Sequence, residues 1–199
     1  VPDPGPFEPA VLASLRSELG IADDAIVAVV VAIMRPGKGH DVLVDALPHI
    51  SDDRVVFLVV GDGPDSERLR ARVEDIDRVV FAGFRDDVGK ILAAADFVVH
   101  PSLGDALPTA LVHALAAGRP VVASAVGGIP EIVPAGAGVL VAPGDPQALA
   151  GAIDRVAADV DQRRLMGKRA RERYDEEFSA EDWADRLRTL YDEVLRDHR

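Results

Sequence analysis

Short apolar runs alternate with amphipathic stretches along most of the chain. Ile26–Ile33 (IVAVVVAI) is continuously apolar with no period of two, the pattern of a strand buried on both faces. Val55–Val60 (VVFLVV) reads the same way, and shorter runs recur at Val79–Ala82, Phe97–His100, Val121–Ala123 and Val139–Ala142. Between them the apolar residues take helical spacing: Asp41–Ile50, Ser66–Val73, Val88–Ala95, Thr109–Ala117 and Gln147–Ala158. Strands alternating with helices predict an α/β fold: a Rossmann-like parallel sheet of about six strands with helices on both faces.

After residue 160 the strand signals stop. Asp161–Glu177 and Ser179–Arg196 read as two C-terminal helices. Ser179 with Asp182 resembles a capping box for the second, whose apolar stripe is Trp183, Leu187, Leu190, Tyr191 and Val194. The predicted organisation is residues 1–20 as a proline-rich linker and first helix, 21–160 as the Rossmann-like domain, and 161–199 as the terminal helices.

Composition narrows the chemistry. With 48% hydrophobic and 28% charged residues in 199, the chain sits in the globular range. It has no cysteine, which excludes disulfides, thiolate metal sites and a cysteine nucleophile. No apolar run approaches the ~20 residues of a bilayer span, and Val1–Pro6 has neither basic stretch nor apolar core, so a cytoplasmic chain is expected. It lacks an initiator Met, as a processed chain or a piece of a longer one does. A net charge of −12 argues against nucleic acid and anionic lipid as partners, so any bound anion must be held locally. The five histidines show no ligand spacing, and Asp75 and Asp77 precede a strand, the wrong end for a site, so no metal is expected.

Ligands of open parallel sheets bind where the strands end. After the first strand, Arg35-Pro36-Gly37-Lys38-Gly39 places two cations three residues apart on a glycine-hinged turn, and Lys38 is one of only three lysines. This suits a phosphate cradle, or a turn whose cations face water. After the second, Gly61-Asp62-Gly63-Pro64 lacks the third glycine of a dinucleotide fingerprint, and a tight turn into a helix explains it. After the fourth, Pro101–Thr109 enters a helix with Pro108 near its first turn, leaving the Thr109 and Ala110 N–H groups for an anion. Asp105 stands at its mouth, as a site carboxylate or a turn cap, and His113 lies one turn beyond Thr109, as a site residue or a surface histidine. Gly127-Gly128-Ile129-Pro130-Glu131 would close the far side, or serve only as a sharp turn.

Together these loops resemble the C-terminal, donor-binding half of retaining, two-Rossmann-domain (GT-B type) glycosyltransferases of the glycosyl transferases group 1 family. The shared motifs are Arg35-x-x-Lys38-Gly39, Gly61-x-Gly63-Pro64, Phe81-x-Gly83, Ala95-Asp96, Pro101-Ser102, Ala116–Val122, Gly127-Gly128-x-Pro130-Glu131, and Phe178-Ser179 with Trp183. The resemblance implies a hexosyl transfer from a nucleotide-sugar donor to a hydroxyl acceptor, with no metal. It gives Arg35, Lys38 and Asp105 the catalytic roles and places Gly37, Gly61, Phe84, Arg85, Leu107, Pro108, Thr109, His113 and Glu131 around the donor. Phe84 and Arg85 would meet the base, and Leu107–Thr109 the phosphates and part of the sugar. Asp105 and His113 stand where the family carries two glutamates, and a neutral imidazole is not a two-oxygen acceptor. The resemblance further implies an acceptor-binding N-terminal domain absent here, a final helix crossing back to it, inactivity of this chain alone, and a membrane-peripheral setting for the full-length enzyme. A phosphorylase of the same fold and a non-catalytic nucleotide-sugar module are the alternatives. A nicotinamide dehydrogenase domain is a further reading, against which the missing glycine pattern of the first loop argues.

Overall fold

The computed structural model describes residue 3 and residues 7–197. The proline-rich opening apart from Asp3 lies outside the described residues, as does the Asp182 side chain expected in the capping box. The elements are α1 (Pro9–Glu18), β1 (Ile26–Val31), α2 (His40–Ala46), β2 (Val55–Val60), α3 (Ser66–Arg72), β3 (Val79–Gly83), α4 (Val88–Ala94) and β4 (Phe97–His100). They continue as α5 (Thr109–Ala116), β5 (Val121–Ser124), α6 (Ile129–Ile132), β6 (Gly138–Val141), α7 (Pro146–Ala158), α8 (Val160–Glu177) and α9 (Ala180–Asp197). A short 3-10 turn, Leu47–His49, completes the helical stretch expected to Ile50.

Six parallel strands form one Rossmann-like sheet in the order β3-β2-β1-β4-β5-β6. Successive residues of β1 feed opposite faces. Val27 and Val29 join a cluster with Leu58, Val98, Leu111 and Leu115, covered by α1, α4, α5 and α8. Ile26, Ala28 and Val30 join a second cluster with Phe57, Phe97, Leu43 and Ile153, covered by α2 and α7. Burial on both faces is why the run shows no alternation. The first run is shorter than its apolar stretch: β1 ends at Val31, level with Val60, the last residue of β2. Beyond it no strand continues the ladder on that side, so Ala32 and Ile33 leave the sheet.

Because the strands are parallel and joined by antiparallel helices, helix N-termini gather at one end of the sheet and C-termini at the other. Arginines collect at the C-terminal cluster. Arg119 Nη2 donates to Ala93 O at the end of α4 (2.6 Å), and Arg171 Nη1 to Ala116 O at the end of α5 (2.8 Å). Arg163 donates to Val156 O (3.1 Å) and to Ala157 O at the end of α7. Each guanidinium satisfies an orphan carbonyl and opposes the negative end of a helix dipole. These side chains, with Arg164 and Lys168, line a groove of about 500 Å³ at the amino ends of β4 and β5. Arg119, Arg163 and Arg171 are thus spent on closing helices away from the strand tips.

Two consequences are measurable. Phe97 is fully buried in β4, so Phe97→Ala is expected to cost about 3–5 kcal/mol in urea unfolding. His40 opens α2 among Leu43, Leu47, Val59, Leu69 and Phe81, and neither ring nitrogen has a hydrogen-bond partner among the described residues. Burial pushes its imidazole below the ordinary 6.5. As pH falls below that value the unfolded chain takes up the proton first, so His40 subtracts stability on the acid side. His40→Leu is expected to raise stability and to flatten its decline below about pH 6.5; an equally steep decline in the variant would contradict this account.

Candidate functional site

The strand order reverses at β1, whose neighbours β2 and β4 lead their loops in opposite directions. A cavity of about 460 Å³ opens there, at the carboxyl ends of the strands. Four strand ends build it. Val31, Ala32, Ile33 and Lys38 come from β1 and its turn; Val60, Gly61 and Asp62 from β2; Phe84, Arg85 and Val88 from beyond β3. His100, Asp105, Pro108, Thr109 and Ala110 come from β4 and the loop into α5.

Backbone contact brings the first and last of these together. Gly39 takes φ +76° as it enters α2, and a Cβ there would lie 1.8 Å from the Pro101 carbonyl oxygen. Only glycine permits that approach. The Gly37 carbonyl accepts hydrogen bonds from Leu103 N (2.8 Å) and Ser102 Oγ (3.0 Å). Behind the loop, a Cβ at Gly127 (φ +52°) would meet Asp105 O at 1.8 Å, and Gly128 N donates to Ala106 O at 3.0 Å. The Gly127-Gly128 turn therefore buttresses the Asp105 loop.

Lys38 and Asp105 meet directly. Lys38 Nζ donates to Asp105 Oδ2 at 2.6 Å, with both side chains largely buried. The same oxygen lies 3.1 Å from His100 Nε2. Burial alone would raise the Asp105 carboxyl, but the hydrogen bonds and charge of Lys38, with the His100 contact, outweigh it and hold Asp105 below the ordinary carboxylate range. Burial pushes the His100 imidazole below its ordinary value, against the opposing pull of Asp105. Pro108 caps α5 from an extended conformation without a side-chain bond. The Thr109 and Ala110 N–H groups have no acceptor among the described residues, so the positive end of α5 faces the cavity.

The structure thus gathers Lys38, Gly61, Phe84, Arg85, Asp105, Pro108 and Thr109 around one cavity. Phe84 is 81% exposed at its rim, a flat apolar face open to a planar partner. The Arg85 guanidinium is already committed: Nε and Nη2 hold Asp87 in a two-point pair at 2.8 Å, and Nη1 holds Glu18 of α1 at 2.8 Å. These bonds raise its pKa further, so its charge is compensated rather than free.

The remaining expected residues do not line the cavity. Arg35 is exposed and makes no ion pair among the described residues, while Gly37 serves through its carbonyl. Leu107 is exposed at the loop's crest. His113 is half-buried on α5, and burial lowers its imidazole. Glu131 is exposed on α6, and its carbonyl accepts from Arg173 Nη2 at 2.9 Å. The sequence reading missed His100. Its place as the last residue of a strand, just before Pro101-Ser102, was the available signal. It also missed Asp62, which accepts from Ser66 Oγ and Gly63 N and is held below the ordinary range by them. No group of three or more His, Cys, Asp or Glu side chains able to hold a metal ion occurs among the described residues. No helix among them is long and apolar enough to cross a membrane.

Known proteins share this architecture. In sequence, the chain is 32% identical over 191 residues to N-acetyl-alpha-D-glucosaminyl L-malate synthase of Bacillus anthracis, covering 94% of this chain and 50% of that protein. It is 30% identical over 205 residues to D-inositol 3-phosphate glycosyltransferase of Streptomyces bingchenggensis, covering 94% and 45%. In structure, it superposes on Anabaena HepE in complex with UDP-glucose at a TM-score of 0.82, with 29% identity over 92% of this chain and 54% of that one. The sucrose-phosphate synthase of Thermosynechococcus elongatus matches at a TM-score of 0.82 and 34% identity, covering 93% and 49%. The chain spans about half the length of the relatives it matches. Residues 25–159, from the residue before β1 to the residue after α7, match the family described as glycosyl transferases group 1, and the chain belongs to that family as a domain of GT-B fold.

Proposed function

We propose that this chain is the donor-binding half of a retaining glycosyltransferase, which moves a hexosyl group from a nucleoside-diphosphate sugar to a hydroxyl acceptor. The observation that carries the proposal is the meeting of Lys38 with the open N-terminus of α5 on one cavity at the switch point of the sheet. A diphosphate placed there meets an ammonium and two unbonded N–H groups. The bound UDP-glucose of the HepE structure supports the same ligand class.

Cleavage of the sugar–phosphate bond leaves negative charge on the diphosphate. Groups fixed in advance around that charge stabilise it more as it grows, which lowers the barrier. A pair of opposite charges 4 Å apart is worth about 4 kcal/mol gross at an effective dielectric of 20. Lys38 delivers less, because Asp105 already engages it and must share it. Arg35 is exposed outside the cavity lining and would act as a second cation for the outer phosphate only by turning inward. Phe84 offers its face to the base, while Arg85, tied to Asp87 and Glu18, shapes the rim through its backbone. His113, an imidazole where the resemblance expects a two-oxygen acceptor, lies outside the cavity lining, so the ribose would be held by fewer oxygens or held differently. No step needs a metal, since the cations are side chains.

The acceptor would be bound by a domain preceding this one. The α9 stripe fits such an arrangement: Trp183, Leu190, Tyr191 and Leu195 are each more than half exposed, an apolar face that a second domain would cover. The isolated chain would then bind donor without turning it over.

Calorimetry with UDP-, GDP- and ADP-sugars tests this reading. At least one is expected to bind, with unchanged affinity after chelation by EDTA. Lys38→Ala is expected to cost about 1.5–3 kcal/mol, roughly ten- to a hundredfold in affinity. Arg35→Ala with Lys38→Ala should abolish binding while leaving the circular dichroism spectrum intact. Wild-type affinity in that double variant would sink the proposal.

A further inference from the structure

His100 closes β4 with a side chain only 4% exposed, and it takes no part in the scheme above. Its Nε2 faces Asp105 Oδ2 at 3.1 Å, and that oxygen also accepts from Lys38 Nζ at 2.6 Å. One carboxylate oxygen therefore serves both neighbours, while Oδ1 has no hydrogen-bond partner among the described residues. Asp105 is acceptor-only when ionised, so a favourable contact at 3.1 Å requires the proton on Nε2. A neutral ring supplies that proton in its Nε2–H tautomer, and burial keeps the ring neutral near pH 7. The groups that face this ring electrostatically are Asp105 on the following loop, Lys38 on the β1–α2 turn and, more weakly, His40 at the start of α2.

Without a second donor, the Asp105 side chain would be fixed by Lys38 alone. Any anion that drew Lys38 toward itself would then also pull on Asp105. The bond from His100 comes from a strand, the most rigid element nearby, and anchors the carboxylate from behind. We infer that His100 is a positioning residue of the anion site, whose Nε2–H pins Asp105 and through it sets where the Lys38 ammonium stands. The inference rests on the donor-binding reading and assigns a role to a residue which that reading leaves idle. Protonation of the ring at lower pH keeps the Nε2–H and adds a positive charge beside the site, which favours a bound anion.

The test is UDP-glucose binding by calorimetry to the wild-type chain, His100→Leu and His100→Gln, between about pH 8 and about pH 5. UDP-glucose is chosen because its diphosphate has no oxygen that titrates near neutrality. His100→Leu is expected to weaken binding about tenfold at neutral pH, the scale of one hydrogen bond to a charged group. His100→Gln carries an amide N–H near the position of Nε2 and should recover most of the loss. Wild-type affinity should increase as the pH falls through the titration of the ring, and His100→Gln should show a flat profile over that range. Nitrogen-15 spectra should show the Nε2–H tautomer at pH 7, whether or not nucleotide is present. Wild-type affinity in His100→Leu, a pH profile shared by His100→Gln, or an Nδ1–H tautomer would each overturn the role of His100 and leave the donor reading standing. Failure of wild-type chain to bind UDP-, GDP- or ADP-glucose would overturn both. Should His100→Leu fail to fold, the His100→Gln profile and the tautomer decide the matter.

Discussion

The turn after β1 and the loop after β4 touch backbone to backbone, and the site exists because they do. Gly39 rests against the Pro101 carbonyl, and the Gly37 carbonyl takes two hydrogen bonds from Ser102 and Leu103. β1 and β4 are neighbours in the sheet, so their strand tips already start side by side. The glycine then removes the one group, a Cβ, that would hold the two loops apart. A side chain at position 39 would force them open and carry Lys38 away from Asp105. Gly127 applies the same logic from the other side, pressing the Asp105 loop forward. The geometry of the charged pair is in this sense a product of close backbone packing, and the ion pair reports it rather than causes it.

The same layout sorts the charges. A parallel sheet sends the N-terminus of each helix that connects two strands to the strand tips and its C-terminus to the far end. Arg119, Arg163 and Arg171 sit at that far end because orphan carbonyls converge there. An anion seeking positive potential on a chain of net charge −12 finds two kinds of surface. One is a broad groove whose guanidiniums are bonded to helix ends and neighbouring carboxylates. The other is a cavity of similar size where N–H groups remain unbonded and the Lys38 ammonium is paired with Asp105 alone. Only the second offers donors that a ligand does not have to steal from a helix.

Much of this was legible in the chain itself. Runs such as Val55–Val60 and Phe97–His100 become strands with those bounds, because both are buried on both faces of the sheet. The loops at the strand tips were legible because glycine and proline punctuate them. What could not be read was which side chain in a loop turns inward. Arg35 and Lys38 are equal candidates by spacing, yet Lys38 lines the cavity and Arg35 points to solvent, and that follows from the contact of Gly39 with a residue 62 positions away. Arg85 looked free to meet a ligand, but its partners Asp87 and Glu18 claim it, and Glu18 reaches it only because α1 folds back beside α4. His100 was hidden for a different reason: at the end of an apolar run it reads as a core residue until its neighbour across the loop is known.

The pairing of Lys38 with Asp105 also bears on how such a site works. A largely buried ammonium with no partner would lose hydration with nothing in return. Asp105 offsets that cost while the cavity is empty. On the donor-binding proposal, an arriving diphosphate would compete with an internal carboxylate, so the affinity it gained would be a difference between two attractive interactions and not the whole of one. The α5 N–H groups behave otherwise, since no side chain occupies them, and their contribution is available in full. On the same proposal, such a site would hold its anion while keeping a resident carboxylate at hand to take the lysine back. Release of the diphosphate after transfer would therefore restore a contact rather than expose a bare charge, which favours turnover over tight product retention.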